Sequence, residues 1–381
     1  MRPLLAALLG STLLACSGEP TPLPGAVELR ATHVATYGDG EGEGALSAIF
    51  DVDVDAEGRV YASEPTIGRV VTFHPNGTFL SVIGARGEGP GEFRSPGNLT
   101  WLGDTLTVLD FLRGISLFTR DGVYLDRIFF AVQGQGRRFP FGPIAPLKDG
   151  TVGSFEPIIA EDVLAGAIEY EVWLKMSRAG EVLDTLARRR LVGGYYELDL
   201  DGRPRSGNHP LSAAEMLVMP PDGASLVMAT RPHATDQEVP AYRLVRIGLG
   251  GDTLQSVEIP YEPVPVTQAD RTRIARAMTS LPEGDQSFEA RAQAIESGIV
   301  WPEFFPAFSQ VVAGQDGTVW VKRHLERNET VRWDIFDSQL IQLGYVYLPE
   351  GMDVRLVSRG WAYGIVLGEY DVPAIHRYDV V

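Results

Sequence analysis

The 381-residue chain has a single cysteine, Cys16, so no disulfide can form within it. It also lacks an apolar run of about 20 residues, which excludes a membrane-spanning helix. Basic residues are scarce, because 33 lysines and arginines stand against 50 acidic residues and give a net charge of −17. Phosphate binding needs a basic surface, so we expect no nucleic-acid partner.

The first 15 residues have the order of a bacterial signal peptide. An arginine precedes an apolar run from Leu4 to Leu14 that is too short to span a bilayer, and Cys16 follows Ala15. This junction resembles the bacterial lipobox, where cleavage leaves the cysteine as a lipid-bearing N terminus. We therefore predict a signal peptide over 1–15 and lipidation of Cys16. The alternative is a plain secretory leader with an accidental cysteine.

Residues 16–25 form a polar stretch of Ser, Gly, Glu, Pro and Thr that is typical of a tether. Acyl chains contribute about 0.8 kcal/mol per buried methylene, so an acylated Cys16 would hold the protein at a membrane through its lipid alone. Ser17 favours the outer membrane, since acidic residues after the lipid site are associated with inner-membrane retention. We expect an extracytoplasmic protein of the bacterial cell envelope.

A strand, turn, strand unit recurs through residues 26–381 at intervals of about 45 residues. Its turns contain Gly and Asp between alternating apolar runs, which is a strong hairpin signal because both residues tolerate positive φ. The six first turns are Ala56-Glu-Gly58, Gly103-Asp104, Lys148-Asp-Gly150, Pro221-Asp-Gly223, Gln315-Asp-Gly317 and Ser358-Arg-Gly360. Each copy but the last continues into a second hairpin, and four antiparallel strands make a propeller blade.

The sixth copy ends after its third strand, at Ala374 to Val381. Its fourth strand is predicted at the other terminus, because Val27 to Tyr37 precedes a glycine-rich acidic loop where every other blade has its outermost strand. The sequence thus predicts an all-β fold, a single six-bladed β-propeller over 26–381 that is closed by its N- and C-terminal strands. Helical spacing over about 266–299 predicts a helical insert between blades 4 and 5.

Blades 1 and 2 resemble the NHL-repeat type of six-bladed propeller. The resemblance is carried by Phe79-Leu-Ser-Val-Ile-Gly84, Gly87-Glu-Gly-Pro-Gly-Glu-Phe93 and Arg59-Val-Tyr-Ala-Ser63. It covers roughly a quarter of the chain; Glu64 stands where the family usually has Asp, and blades 3 to 5 depart in loop length. The resemblance implies that binding of peptides, proteins or sugars is more common than catalysis, although a minority of such propellers are metal-dependent lyases or lactonases.

Acidic residues recur at one position in three consecutive blades. Glu64, Asp110 and Glu156 each lie six residues after the first turn of their blade, and Arg323 takes this position in blade 5. One interpretation is that the acids accept hydrogen bonds from backbone N–H groups in the turn to the third strand. The other is that they face a ligand or a metal.

Asp51, Asp53 and Asp55 alternate like the start of a calcium loop, but Ala56 takes the required glycine position and Ala62 the position of the bidentate Glu. The alternation is the period of a strand. The six histidines form no zinc-binding pair, and no nucleophile motif is present. We therefore predict no metal, no cofactor and no catalytic residue.

Every long insertion lies on one face, over blades 3 to 5. The insertions are 157–169, 191–210, 232–241 and 266–305. They bring aromatic side chains that can stack on a sugar or a peptide close to cationic ones. The residues predicted to bind a ligand are Glu64, Asp110, Glu156, Tyr195, Tyr196, Arg231, Trp301, Arg323 and His324. The alternative is that the aromatics only pack the insert onto the ring.

The sequence thus favours a monomeric, membrane-anchored binding or scaffold propeller. We expect its partner to be a peptide, protein or glycan of the cell envelope, bound on the face that carries the insertions. The alternative is a metal-assisted lyase or lactonase that uses the recurring acids, with Arg323 or His324 on the substrate.

Cys16→Ser should release the protein from the membrane fraction, because the acyl chains are then absent. Fractionation followed by immunoblotting measures this, and Ser17→Ala is the matched control that should stay with the membrane. Retention of Cys16→Ser in the membrane fraction would show that the anchor is wrongly assigned.

Overall fold

The computed structural model describes residues 26–110, 113–128, 145–155, 169–177, 181–191, 195–200, 203–231, 239–279 and 287–381. In these parts of the chain nearly all regular structure is strand. The two α-helices are Gln268–Met278 (α1) and Phe288–Gly298 (α2), and short 3-10 turns occur at Gly42–Gly44 and Glu369–Asp371. The strands form six blades around an axis, which confirms the predicted all-β propeller.

Blades 1 to 5 each use four consecutive antiparallel strands, and the first strand of each blade lies nearest the axis. Blade 1 contains Asp51–Val54, Val60–Glu64, Arg69–Phe73 and Phe79–Ile83. Blade 2 contains Pro96–Leu102, Thr105–Asp110, Gly114–Thr119 and Tyr124–Ile128. Blade 3 contains Ala145–Pro146, Val152–Phe155, Tyr170–Met176 and Val182–Arg190.

The next two blades follow the same order. Blade 4 contains Met216–Val218, Ser225–Thr230, Ala241–Gly248 and Thr253–Pro260. Blade 5 contains Gln310–Ala313, Val319–Arg327, Thr330–Phe336 and Gln342–Pro349. The first turns fall where the sequence predicts them, and Gly58 and Gly317 have φ of 80° and 77°, a region that glycine enters without strain.

Blade 6 is completed by the N-terminal part of the chain. Its first three strands are Asp353–Ser358, Trp361–Leu367 and Pro373–Val380, and Ala31–Tyr37 pairs antiparallel with the third of these. The predicted closure of the ring is therefore confirmed. The predicted terminal strand is divided, however, because Val27–Leu29 pairs in parallel with the last strand of blade 5. The N-terminal segment consequently joins two neighbouring blades.

A small folded layer lies beside the ring. A hairpin of Tyr195–Leu200 and Arg203–Asn208 stands between blades 3 and 4, and the helices α1 and α2 stand between blades 4 and 5, as predicted. The hairpin packs on the helices through a cluster of Leu198, Ala275, Ile295 and Ile299. Among the described residues, no helix has the length and hydropathy that crossing a membrane requires.

Tyr37 anchors the closing strand in the core between blades 6 and 1. It is fully buried, and its ring centroid lies 5.9 Å from that of Phe73 and 6.0 Å from that of Tyr363. Its hydroxyl donates a hydrogen bond to the carbonyl of Pro75 at 2.9 Å. The closing strand therefore contributes packing and a hydrogen bond as well as strand pairing.

Tyr37→Ala should lower the free energy of unfolding by about 3 to 5 kcal/mol, because it leaves a cavity and an unpaired carbonyl. Chemical denaturation measures the change. Val34 lies on the same strand and is 46% exposed, so Val34→Ala is the control and should change stability by less than about 0.5 kcal/mol. Equal effects of the two substitutions would contradict the role assigned to the closing strand.

Candidate functional site

Glu64 is fully buried and holds the connector that enters its own blade. Its Oε1 accepts hydrogen bonds from the backbone N–H of Ser47 at 2.7 Å and from the Ser47 hydroxyl at 3.1 Å. Its Oε2 pairs with Nε of Arg69 at 2.7 Å. These contacts favour the interpretation in which the acid satisfies backbone groups, but the groups precede the first strand rather than follow the second.

Asp110 does the same in blade 2. It is fully buried and accepts from the backbone N–H groups of Arg94 at 2.8 Å and Ser95 at 3.3 Å. Glu156 lies outside the described residues and remains a prediction. A role for Glu64 and Asp110 in ligand binding also remains a prediction, which their burial does not favour. In the described part of the chain, no three His, Cys, Asp or Glu side chains are placed to hold a metal ion.

Arg323 makes the equivalent contact in blade 5 with the charges exchanged. Its Nε donates to the carbonyl of Ala307 at 2.8 Å, in the connector that enters blade 5. Its Nη1 pairs with Asp334 at 2.9 Å; Asp334 lies on the third strand of blade 5, as Arg69 lies on the third strand of blade 1. Arg323 therefore holds its connector by donating to a backbone carbonyl oxygen, whereas Glu64 holds its connector by accepting from a backbone N–H.

Arg231 holds two connectors at once. Its side chain donates from Nε to the carbonyl of Ala214 at 2.9 Å and from Nη1 to the carbonyl of Phe308 at 2.6 Å. The residue is 6% exposed, and within the described parts of the chain no carboxylate pairs with it. Burial lowers the pKa of Arg231 to about 10, with a further contribution from Arg189, so the guanidinium remains charged at neutral pH.

His324 lies beside these arginines. Its ring stacks on Phe305 with 4.6 Å between centroids, and its Nε2 is buried without a hydrogen-bond partner among the described residues. Burial, together with the charges of Arg231 and Arg323, lowers the pKa of His324 to about 3. The imidazole is therefore neutral at physiological pH. The structure thus brings together three of the predicted residues, Arg231, Arg323 and His324.

The predicted aromatic residues mainly pack the inserted layer. Tyr196 and Trp301 are half-buried against the cluster between the hairpin and the helices, and Trp301 Nε1 donates to the carbonyl of Glu296 at 2.7 Å. Trp301 also packs near Phe305, the ring on which His324 stacks. The structure therefore favours the packing alternative for Tyr196 and Trp301. Tyr195 is half-buried, and burial raises the pKa of its hydroxyl.

A channel along the axis of the ring is a further candidate site, which was not predicted from the sequence. The first strands of the blades enclose a cavity of about 330 Å³. Its polar lining includes Asp51, Asp53, Asn98, Gln310 and Arg355. A wider cavity of about 660 Å³ lies at the first turns of blades 1 to 5, on the face that carries the tight hairpin turns. The clue in the sequence was the alternation of acids along the first strand of blade 1.

Two carboxylates in this channel have raised pKa values. Burial raises the pKa of Asp51 to about 6 and that of Asp53 to about 8, and the charge of Asp51 contributes to the second rise. Asp53 is 2% exposed and accepts from Nε2 of Gln315 at 2.7 Å. Asp51 accepts from the backbone N–H of Leu99 at 2.9 Å. At neutral pH the pair therefore carries close to one negative charge.

No protein-family model matches the chain, and no curated protein matches it. Solved structures similar to it include an exported protein from Bacteroides fragilis, at 10% identity over 93% of this chain and 95% of that one, with a TM-score of 0.47. A member of the DUF4221 family from Bacteroides vulgatus is 11% identical over 95% and 98% of the two chains, with a TM-score of 0.47.

Virginiamycin B lyase from Staphylococcus aureus is 10% identical over 93% of this chain and 99% of that one, with a TM-score of 0.40. At these scores the likenesses carry no inference about activity or ligand. The assignment of the propeller fold rests on the six blades themselves.

The raised pKa of Asp53 predicts that stability falls as pH rises. Because the folded state holds this proton up to about pH 8 while an unfolded aspartate releases it near pH 4, the folded state binds more protons between these values. The free energy of unfolding should therefore decrease by about 4 kcal/mol between pH 5 and pH 8.5. Asp53→Asn should remove most of this decrease.

Urea denaturation at several pH values measures the effect. The control is Asp126→Asn, which changes an exposed aspartate and should leave the pH dependence as it is. A wild-type protein whose stability rises over the same pH interval would contradict the assigned shift.

Proposed function

We propose that the chain is a non-catalytic binding propeller, anchored in the bacterial cell envelope through a lipid on Cys16, that recognises a peptide, protein or glycan. Its binding surface is the loop-rich face, defined as the face that carries the connections between blades together with the hairpin and the helices. The observation that carries the proposal is the folded layer that this face bears between blades 3 and 5.

The layer is larger than a connection between blades requires. Blades 1 and 2 are joined by residues 84–95, whereas blades 4 and 5 are joined by residues 261–309, which include both helices. Ordering a residue costs about 1 to 2 kcal/mol of backbone entropy, so a folded layer with its own apolar cluster is unneeded if the segment only links strands. A role in recognition explains why the loop-rich face carries a folded layer of this size.

The charge of the layer indicates the chemistry of the partner. Arg188 and Arg190 are exposed at the end of blade 3, and Arg203 and Arg205 are exposed on the hairpin. They stand on a protein whose net charge is −17. The hairpin also exposes two acidic side chains, so the arginines are individual positive groups in a surface of mixed charge, and they can pair with acidic groups of a partner. We therefore expect a ligand that carries acidic groups.

The alternative, a metal-assisted lyase or lactonase, has less support. It requires Glu64 and Asp110 as ligands of a metal, and both carboxylates are buried on backbone N–H groups. Moving either carboxylate onto a metal would leave those N–H groups unpaired, at about 1 to 3 kcal/mol each. The geometry of the described residues therefore favours binding over catalysis.

The double substitution Arg203→Glu with Arg205→Glu should reduce capture of the partner from solubilised envelope at least about tenfold, because it replaces two exposed positive side chains with negative ones. Both residues are exposed, so the melting temperature should hardly change. Pull-down with purified protein measures capture, and treating the envelope with protease or periodate distinguishes a protein partner from a glycan.

The matched control is Lys148→Glu with Arg359→Glu, an equal change of charge on exposed turns of the opposite face. A loss of capture with this control alone would place the binding surface on the tight-turn face and overturn the proposal. Alanine at Tyr196 or Trp301 is unsuitable as a test, because these residues pack the layer and their removal should lower stability.

A further inference from the structure

Blades 3 and 4 place two guanidinium groups and one carboxylate close together on the loop-rich face. Nη2 of Arg189 pairs with Oε2 of Glu171 at 2.7 Å. Among the described residues, the hydrogen-bond partners of Arg231 are neutral carbonyls, and the charge of Arg189 acts on it directly. In the described part of the chain this group therefore has one positive charge in excess, and Arg323 and Arg332, which share the single carboxylate of Asp334, add a second positive charge nearby. A buried charge without a counter-ion is costly, and proteins usually pair such a charge with one of opposite sign.

Two donors near Arg231 lack acceptors. Arg190, next to Arg189, bonds to the backbone of Glu215 beside the Ala214 carbonyl that Arg231 holds, and His324 stacks on Phe305 in the other connector that Arg231 holds. Nε of Arg189 and Nε2 of His324 are buried without a hydrogen-bond partner among the described residues. Because His324 is neutral, it can carry its proton on Nε2 and donate it. Buried polar atoms that remain unpaired in a folded protein require an explanation, and a bound acceptor supplies one.

A buried arginine that donates only to neutral oxygens does not by itself indicate a ligand site. Arg127 is also buried, at 7% exposure, and it donates to the Ser116 hydroxyl and the carbonyl of Glu92. What distinguishes Arg231 is a second guanidinium, that of Arg189, and the nearby imidazole of His324, whose Nε2 has no hydrogen-bond partner among the described residues. The excess charge, the two free donors and the position below the inserted layer all require the same partner, an anion that accepts hydrogen bonds.

We propose that the loop-rich face binds a carboxylate group of its ligand between Arg231, Arg189 and His324. This rests on the proposed binding function and specifies the chemistry that the ligand presents there. A carboxylate presents two oxygens in one plane, a geometry that the planar fork of a guanidinium fits, and inorganic phosphate is the competing anion in the test. The two carboxylate oxygens can accept from both free donors and from the guanidinium of Arg231.

The test uses purified full-length protein and two small carboxylates, D-glucuronate for a sugar acid and N-acetylglycine for a peptide terminus. Their neutral counterparts are D-glucose and N-acetylglycinamide. Ionic strength is kept constant with sodium chloride, and the melting temperature is followed as a function of concentration. A carboxylate that binds the folded state should raise the melting temperature in a saturable way, and its neutral counterpart should not.

Arg231→Gln should weaken the fitted carboxylate affinity at least about tenfold, because it removes the charged donor. Arg127→Gln is the matched control, a buried arginine on neutral oxygens elsewhere in the ring, and it should keep the wild-type affinity. If Arg231→Gln does not fold, Arg231→Lys replaces it, which keeps the charge but loses the fork of donors and should still bind several-fold more weakly.

The outcomes are distinct. Saturation by one carboxylate and not the other identifies the source of the group. Equal responses of wild type and Arg231→Gln, equal responses to acids and neutral counterparts, or tighter binding of inorganic phosphate than of either carboxylate would each overturn the carboxylate site. Capture of an envelope partner that depends on Arg203 and Arg205 would then still stand, because that measurement does not involve Arg231.

Discussion

The ring depends on how its connectors are held. A connector between blades lacks the hydrogen-bond ladder that paired strands have. Its backbone N–H and C=O groups nevertheless become buried as the blades close around the axis. In blades 1 and 2 a buried acid, Glu64 or Asp110, accepts from the connector that enters the same blade. In blades 4 and 5 arginines donate to the connectors instead. Each of these four blades is thereby fixed by a side chain near the end of its second strand.

The charge of this side chain differs between blades, and the difference affects how charge is distributed over the loop-rich face. Where the holding residue is an acid, its charge is neutralised locally by the N–H groups and, in blade 1, by Arg69. Where it is an arginine that holds carbonyls, positive charge accumulates, and a single carboxylate, Asp334, serves both Arg323 and Arg332. Positively charged side chains are therefore concentrated near the ends of the second strands of blades 4 and 5, and the inserted layer lies on this part of the ring.

Local signals explain what the sequence could predict. Turns such as Ala56-Glu-Gly58 and the period of the strands are properties of a few neighbouring residues, so blade number, closure and the helical insert all follow from them. Spacing from the turn also placed Glu64, Asp110 and Arg323 at one geometric position. It could not give their partners, because Ser47 lies 17 residues from Glu64 and is brought there by packing. The channel arises only when six first strands surround one axis.

The buried acids and the buried arginines differ in how they can lose their charge. Asp53, with its pKa raised to about 8, becomes neutral by taking up a proton and then needs no ligand to remain buried. Arg231 cannot become neutral in this way, since its lowered pKa of about 10 still leaves it charged at neutral pH. The cost of its burial persists until an anion arrives. The region around Arg231 therefore has a physical reason to bind an anion. The pair of Asp51 and Asp53 in the channel, by contrast, is stable with a proton alone.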